Sequence, residues 1–274
     1  MKTIFVPTDF SKCAANAMKF AFVLAKYFGS EVVAFHNILP TQGVDNNIYD
    51  AYFIEEYVKI KETKLAQSVK RMLKNPDFKD VPVKSVCELG FAADNICNLA
   101  DKYNADLIVM GTTGASGLKE LTLGSVAGSI IRKTEVPILI VPEVFDSITL
   151  NDVFVLASDM SNKMNEKSKA VVESFTKMQN ATLKVVNVSD KEGERPSSDA
   201  EKKISDMLSG VQHDFHYLHG GQPNVAIRHF LETVEASLLC MISHHHGFLY
   251  RLFYDSTTRQ MSYHTQIPLL VLHD

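Results

Sequence analysis

A chain of 274 residues, 46% of them hydrophobic and 22% charged, suits one large or two ordinary globular domains and excludes disorder throughout. A formal net charge of −4 argues against an electrostatic nucleic-acid binder or a polybasic membrane anchor. No apolar run could span a bilayer, Met1–Pro7 lacks the h-region and cleavage site of a signal peptide, and the four cysteines (Cys13, Cys87, Cys97, Cys240) form no CxxC pair. A cytoplasmic protein with reduced, mostly buried thiols is expected, with neither nucleic acid nor membrane as a partner.

Short Val- and Ile-rich runs predict strands over Thr3–Pro7, Glu31–Ile38, Val81–Leu89, Asp106–Met110 and Pro137–Val141. Between them, Ser11–Phe28 predicts a helix. Ser11 is placed to cap it, Ala14, Met18, Ala21, Ala25 and Phe28 line one face, and Gly29 suits the C′ position. Asn46–Lys74, with Ile54, Val58, Leu65, Val69 and Met72 at helical spacing, reads as a long amphipathic surface helix, with a partner or dimer helix as the sharper reading. Ala92–Tyr103 and Ser125–Lys133 are further helices. Arg132 and Lys133 are placed in the last turn of the second, where cations suit the helix dipole. Phe145–Asn151 reads as a linker and Lys191–Ser198 as a polar loop.

The pattern then repeats. Ile4–Ser11 resembles Val153–Ser161 at an offset of 150, and from Gly90/Gly221 to Pro137/Pro268 the halves align without a gap at an offset of 131. The second half is therefore shorter between its second and third strands. Apolar strands alternating with helices imply, in each half, a parallel sheet covered on both faces. The plan is doubly wound, with ligands binding beyond the carboxyl ends of the strands at the topological switch point. The expected fold class is thus α/β, two tandem doubly wound five-stranded parallel-sheet domains, spanning residues 1–144 and 151–274. The fifth strands, Val136–Val141 and Ile267–Leu272, are apolar edges that would invite pairing if left bare.

The segment after the fourth strand carries the chemistry. Gly111-Thr112-Thr113-Gly114 permits positive φ and close approach of backbone N–H groups to an anion. Gly124-Ser125 opens a helix whose unpaired N–H groups can hold phosphate. The spacing is neither the dinucleotide GxGxxG nor Walker A. It is Gly, two residues, Gly, nine residues, Gly, Ser, and in that order it resembles the ATP motif of the universal stress protein family. Pro7-Thr8-Asp9-Phe10-Ser11 and Val136-Pro137-Ile138-Leu139 also look like that family.

The resemblance implies the adenine nucleotide alpha hydrolase-like fold with strand order 3-2-1-4-5. It implies ATP, often accompanied by a divalent ion such as Mg2+, held by Pro7, Thr8, Asp9, Asn37, Met110, Gly111, Thr113, Gly114, Gly124, Ser125, Val126 and Ala127. In it Asp9 contacts the adenosine end, the second-strand backbone at Asn37 borders the adenine, and Met110-Gly111 lies under the nucleoside. Read from the residues alone, Asp9 equally suits a helix cap, His36 a satisfied core histidine, and Met110 a pocket wall.

In the second half, Gly111 becomes Ile242, Gly114 becomes His245 and Gly124 becomes Asp255, while Ser125 stays as Ser256. A non-glycine in a left-handed conformation costs about 1–2 kcal/mol. A carboxylate about 5 Å from phosphate repels it by roughly 3 kcal/mol at an effective dielectric of 20, more than the helix dipole's gain of about 0.3–1 kcal/mol. The second half is therefore expected not to bind ATP and to serve as a structural pseudo-dimer partner. Nine of the ten histidines lie in it. Strand alternation places His213 and His219 on one face and His216 on the other, and no Cys or carboxylate completes a familiar metal-ligand spacing, so no metal is assigned.

These readings predict an ATP-binding, nucleotide-responsive stress or regulatory factor with slow or absent hydrolysis, at most a weak ATPase, because no catalytic constellation accompanies the loop. The alternatives are a nucleotide-independent dimeric interaction scaffold and an adenylating enzyme. The latter is disfavoured because Pro7–Ser11 replaces the Ser-Gly-Gly type loop of such families. A homodimer is expected in addition to the internal pseudo-dimer.

Overall fold

The computed structural model describes residues 1–39, 50–112, 125–143, 150–160, 163–189, 195–220, 223–243 and 267–274. The first half runs β1 (Thr3–Pro7), α1 (Lys12–Phe28), β2 (Glu31–Ile38), α2 (Asp50–Leu73), β3 (Val83–Leu89), α3 (Ala92–Lys102), β4 (Leu107–Gly111), α4 (Ser125–Ile131) and β5 (Ile138–Val141). The second runs β6 (Val153–Ala157), α5 (Glu166–Gln179), β7 (Thr182–Ser189), α6 (Ser198–Met207), β8 (His213–His219), α7 (Pro223–Thr233), β9 (Leu238–Ser243) and β10 (Leu269–His273).

The strand order is β3-β2-β1-β4-β5-β10-β9-β6-β7-β8, one ten-stranded sheet. Each half is parallel and follows the expected 3-2-1-4-5 order, with its switch point between β1 and β4 or between β6 and β9. The halves meet by antiparallel pairing of β5 with β10, Leu139 opposite Leu270. Each fifth strand therefore covers the other's exposed edge, and β3 and β8 become the sheet's edges. The carboxyl ends of the two parallel sets point in opposite directions.

One core packs α1, α2, α5 and α6 on one face, through residues such as Leu24, Leu65, Phe175 and Ile204. The other packs α3, α4 and α7 on the opposite face, through Ile96, Ile130 and Ile227. Along β1 the alternation is strict, with Ile4 and Val6 in the first core and Phe5 in the second. Each such fully buried side chain stabilises the fold by about 1.5–3 kcal/mol.

Local expectations hold where local chemistry decides them. The Ser11 hydroxyl accepts from the Ala14 N–H at the start of α1, and Gly29 ends it at φ 64. In the amphipathic helix α2, Leu65 and Val69 are buried against β2 and β3; residues 46–49 lie outside the described residues. At the end of α4 the expectation fails. The helix stops at Ile131, so Arg132 and Lys133 lie past its last turn. Lys133 instead reaches the Asp94 carboxylate on α3, a half-exposed pair contributing less than about 1 kcal/mol.

The expected strand from Val81 begins at Val83, because Val81 closes a turn through its N–H to the Phe78 carbonyl. Most of the expected linker lies outside the described residues, but Leu150 is buried and Asn151 bonds to the Glu235 carbonyl. Ser198, expected in a loop, is the first residue of α6, which Ser197 caps; residues 191–194 lie outside the described residues. At 10 residues against 24 in α2, α6 accounts for the shorter second half. Among the described residues no helix is long and apolar enough to cross a membrane.

Candidate functional site

The crevice at the first half's switch point is built from the exits of β1, β2 and β4. After Pro7 the chain turns sharply. The Thr8 N–H donates to the Phe35 carbonyl (2.8 Å), and the Thr8 hydroxyl accepts from the Phe10 N–H (3.1 Å). Phe10 is left-handed at φ 67, a conformation uncommon outside glycine. Its ring stacks on His36 (4.2 Å between centroids), and the Lys64 ammonium lies 4.4 Å from its centre. Asp9 is exposed, and one of its oxygens accepts from the Ser11 N–H (2.9 Å). The helix cap is therefore Ser11, and Asp9 steadies the residue that caps.

His36 is buried and donates from Nδ1 to the Thr8 carbonyl (2.7 Å). Burial lowers its pKa from the usual value, the hydrogen bond to Thr8 opposing this and the nearby Lys61 and Lys64 adding to it. It is a satisfied core histidine that ties β2 to the β1 exit. The second half performs the same task with another residue. There Asn187 donates to the Ser158 carbonyl (3.0 Å), the Ser158 hydroxyl accepts from the Met160 N–H (3.0 Å), and Met160 is left-handed at φ 63.

At the β4 exit, Met110 is buried as a wall and Gly111 is half-buried. Gly111 ends a strand and is not among the positive-φ residues, so the expectation that it supplies positive φ is corrected. Its need for glycine is steric. A Cβ there would lie 2.6 Å from the Cys13 sulfur and 3.0 Å from the Cys13 carbonyl carbon in the first turn of α1. The second half tolerates Ile242 because its helix starts late. α1 opens five residues after β1 ends, whereas α5 opens nine residues after β6 ends. Ile242 is accordingly buried in the core.

Asn37 is half-buried at the β2 exit. Its side-chain amide donates to the Gly90 carbonyl (2.9 Å), and its side-chain oxygen accepts from Asn95 of α3 (2.8 Å). Ser125 and Val126 are exposed at the start of α4 and Ala127 is buried. Thr113, Gly114 and Gly124, like His245, Asp255 and Ser256, lie outside the described residues. Pro7, Thr8, Asp9, Asn37, Met110 and Gly111 are thus the strand-exit residues of one crevice. Sequence reasoning missed Asn95, whose only signal was the alanine, Ala226, at the matching position of the second half.

Cys13, Cys97 and Cys240 are buried free thiols and Cys87 is partly buried. Burial raises the thiol pKa of Cys87 and Cys97 to about 11 and that of Cys240 further still. His213 bonds to Ser205 of α6 and His216 packs on Phe230 of α7, on opposite faces of β8 as alternation requires. Among the described residues no group of three or more His, Cys, Asp or Glu could hold a metal ion.

Tandem doubly wound halves, joined edge to edge, with strand exits gathered at each switch point, define a class of duplicated α/β nucleotide-binding folds. The model of the Universal stress protein family matches residues 1–142 and 155–273, and the chain belongs to that family. Universal stress protein MJ0531 of Methanocaldococcus jannaschii is 35% identical over 147 residues, covering 51% of this chain and 81% of that protein. A crystal structure of a universal stress protein from Archaeoglobus fulgidus, 20% identical, covers 98% of this chain and 97% of that one with a TM-score of 0.75, a likeness of fold. A universal stress protein solved in complex with cAMP is 24% identical over 51% of this chain and 96% of its own, with a TM-score of 0.38.

Proposed function

We propose that this chain is an ATP-binding universal stress protein, a nucleotide-responsive stress or regulatory factor of the cytoplasm whose hydrolysis is slow or absent. The observation that carries the reading is the contrast between halves. The first keeps Gly111, Gly114, Gly124 and Ser125 at the family spacing, whereas the second has Ile242, His245 and Asp255 at the glycine positions.

The residues present fit the ligand. Pro7, Thr8 and Met110 form a buried floor, while Asp9, Ser125 and Val126 are exposed at the rim. The Asp9 carboxylate suits a ribose hydroxyl, and the glycine spacing of the sequence from Gly111 to Ser125 would supply backbone N–H groups to the phosphates. Mg2+ would arrive with the nucleotide, coordinated by phosphate oxygens and water.

Isothermal titration of the full chain with ATP tests this, with Gly114→His as the control. Micromolar binding lost in the variant supports the reading, and equal affinity in both removes the site. A steady-state rate of several turnovers per second with Mg2+ would contradict the non-enzymatic role.

The division into domains at 1–144 and 151–274 is part of this proposal. So is the second half's role as a structural partner, which the antiparallel β5–β10 pairing of the two halves supports. The same pairing favours, as a second reading, a scaffold that works without nucleotide; native mass spectrometry of purified protein discriminates, since a scaffold carries none. A homodimer of whole chains would need a surface other than β5 and β10, and light scattering tests it.

A further inference from the structure

The two halves can be compared atom by atom, and they differ on the β2 side of the crevice as well as at the phosphate loop. Register fixes the equivalences. Thr3 pairs with Glu31 as Val153 pairs with Thr182, so Asn37 matches Val188. The Gly90 N–H closes on the Ile38 carbonyl as the Gly220 N–H closes on the Ser189 carbonyl, so Gly90 matches Gly220 and not Gly221, and the constant offset of 131 begins only with α3 and α7. A Cβ on Gly90 would meet Asn95 at 2.7 Å, and one on Gly220 would meet Ala226 at 3.8 Å, so Asn95 matches Ala226.

The first half thus has an amide chain that the second lacks. Asn95 donates to the Asn37 side-chain oxygen (2.8 Å) and to the Leu89 carbonyl (3.2 Å), and Asn37 donates to the Gly90 carbonyl (2.9 Å). Val188 and Ala226 can make none of these bonds. The backbone follows: the closing bond is 2.9 Å at Gly90 and 3.4 Å at Gly220. The clamp ties the β3–α3 turn to β2 in the half that keeps the glycine spacing.

The position of the clamp suggests its use. Strands lie about 4.8 Å apart, so a ligand with phosphates beyond β4 puts its other end about 10 Å away, over β1 and β2. Strand backbone groups alternate sides, and the Phe35 carbonyl faces β1, where it accepts from Thr8. The Asn37 N–H and carbonyl therefore also face β1, past the last registered pair, Pro7 with Phe35. A fixed N–H and C=O side by side match N1 and the N6 amine of adenine, and oppose the N1–H and O6 of guanine.

We propose that the Asn37–Asn95 side-chain pair is a positioning clamp that fixes the β2 exit for the base and sets selectivity for adenine over guanine. This rests on the ATP-binding reading above. Neither side chain need touch the nucleotide. They hold the backbone that does, and a site with its hydrogen-bonding groups fixed rejects a mismatched partner more strongly than a yielding one.

The test is titration of the full chain with ATP, AMP and GTP. The variants are Asn37→Val/Asn95→Ala, which installs the second half's residues, and the near-isosteric Asn95→Asp, which sets acceptor against acceptor. Each is expected to weaken ATP and AMP by a common factor of about tenfold, since both share the base. GTP binding should be nearly unchanged, so the ATP-to-GTP preference falls about tenfold while the melting temperature moves by no more than about 2 °C. If the parent protein prefers ATP and both variants retain its affinity and preference, the clamp is overturned. Parallel loss of ATP and GTP with a lowered melting temperature also overturns it, because it marks a purely structural pair. A parent protein that binds no nucleotide removes the ATP-binding reading and the clamp with it.

Discussion

Replacing Gly111 with alanine tests the steric account of the β4 exit. The added Cβ would sit 2.6 Å from the Cys13 sulfur, 3.0 Å from its carbonyl carbon and 3.2 Å from its Cβ. Cys13 has little room to withdraw. It is 1% exposed, it belongs to the first turn of α1, and its thiol points at the Val141 carbonyl (3.6 Å) and the Thr112 hydroxyl (3.5 Å). Overpacking of this kind costs about 1–3 kcal/mol. At about 2 kcal/mol, thermal unfolding should fall by roughly 4–8 °C for a chain of this size, read by circular dichroism. Because Gly111 is not left-handed, the cost should depend on its neighbour. Gly111→Ala and Cys13→Ala together should then cost about 1 kcal/mol less than the sum of the single changes. An unchanged melting temperature in Gly111→Ala, or strictly additive costs in the double variant, would refute the contact as the reason for the glycine.

Gly29 and Asn180 end α1 and α5 at φ 64 and φ 50, and a Cβ on Gly29 would meet nothing within 4 Å among the described residues; Gly29→Ala should therefore cost about 1 kcal/mol and Asn180→Gly should stabilise by up to that amount, both measured by urea midpoint. His273 is 5% exposed, its Nε2 has no hydrogen-bond partner among the described residues, and burial lowers its pKa from 6.5 to about 4. The unfolded chain thus takes up this proton first, so stability is complete above pH 6.5 and falls by up to about 3 kcal/mol as the pH drops to 4; His273→Leu should lose that increment relative to the parent in parallel urea titrations. Asp94→Ala, which breaks the half-exposed pair with Lys133, should change stability by less than about 0.5 kcal/mol in the same assay.

What the sequence revealed and what it concealed divide by the range of the interaction. The bounds of β1, β2 and α1, with its Ser11 and Gly29 caps, follow from periodicity and near-neighbour hydrogen bonds, and they matched. The repeat exposed the duplicated architecture, and the apolar fifth strands pointed to edge pairing. The reason for Gly111 was misread because the atom that excludes a side chain belongs to Cys13, on α1 and far away in sequence. Asn95 was invisible because an asparagine near the start of a helix normally reads as surface. Only the fold brings it to Asn37 and Gly90. Arg132 and Lys133 resembled a helix terminus because charge pattern cannot locate the residue at which α4 stops.

The duplicated fold supplies its own control for separating scaffold from site. The turn after the first strand is kept in both halves: a hydroxyl accepts from the residue two ahead, that residue is left-handed, and a side chain from the second strand donates to the turn's carbonyl. The donor is His36 in one half and Asn187 in the other, so the geometry is preserved while the chemistry is free to change. Such a feature serves the fold, since the half expected not to bind nucleotide keeps it too. Gly111, the glycine spacing behind it and the Asn37–Asn95 amides behave differently, for they are replaced together by Ile242, His245, Asp255, Val188 and Ala226. Gly111 answers to the Cys13 contact of the first half's own packing, but sheet packing demands none of the others, because the second half builds the same strand order without them. Their joint presence in one half is what a single ligand, held at its phosphate end and its base end, would require.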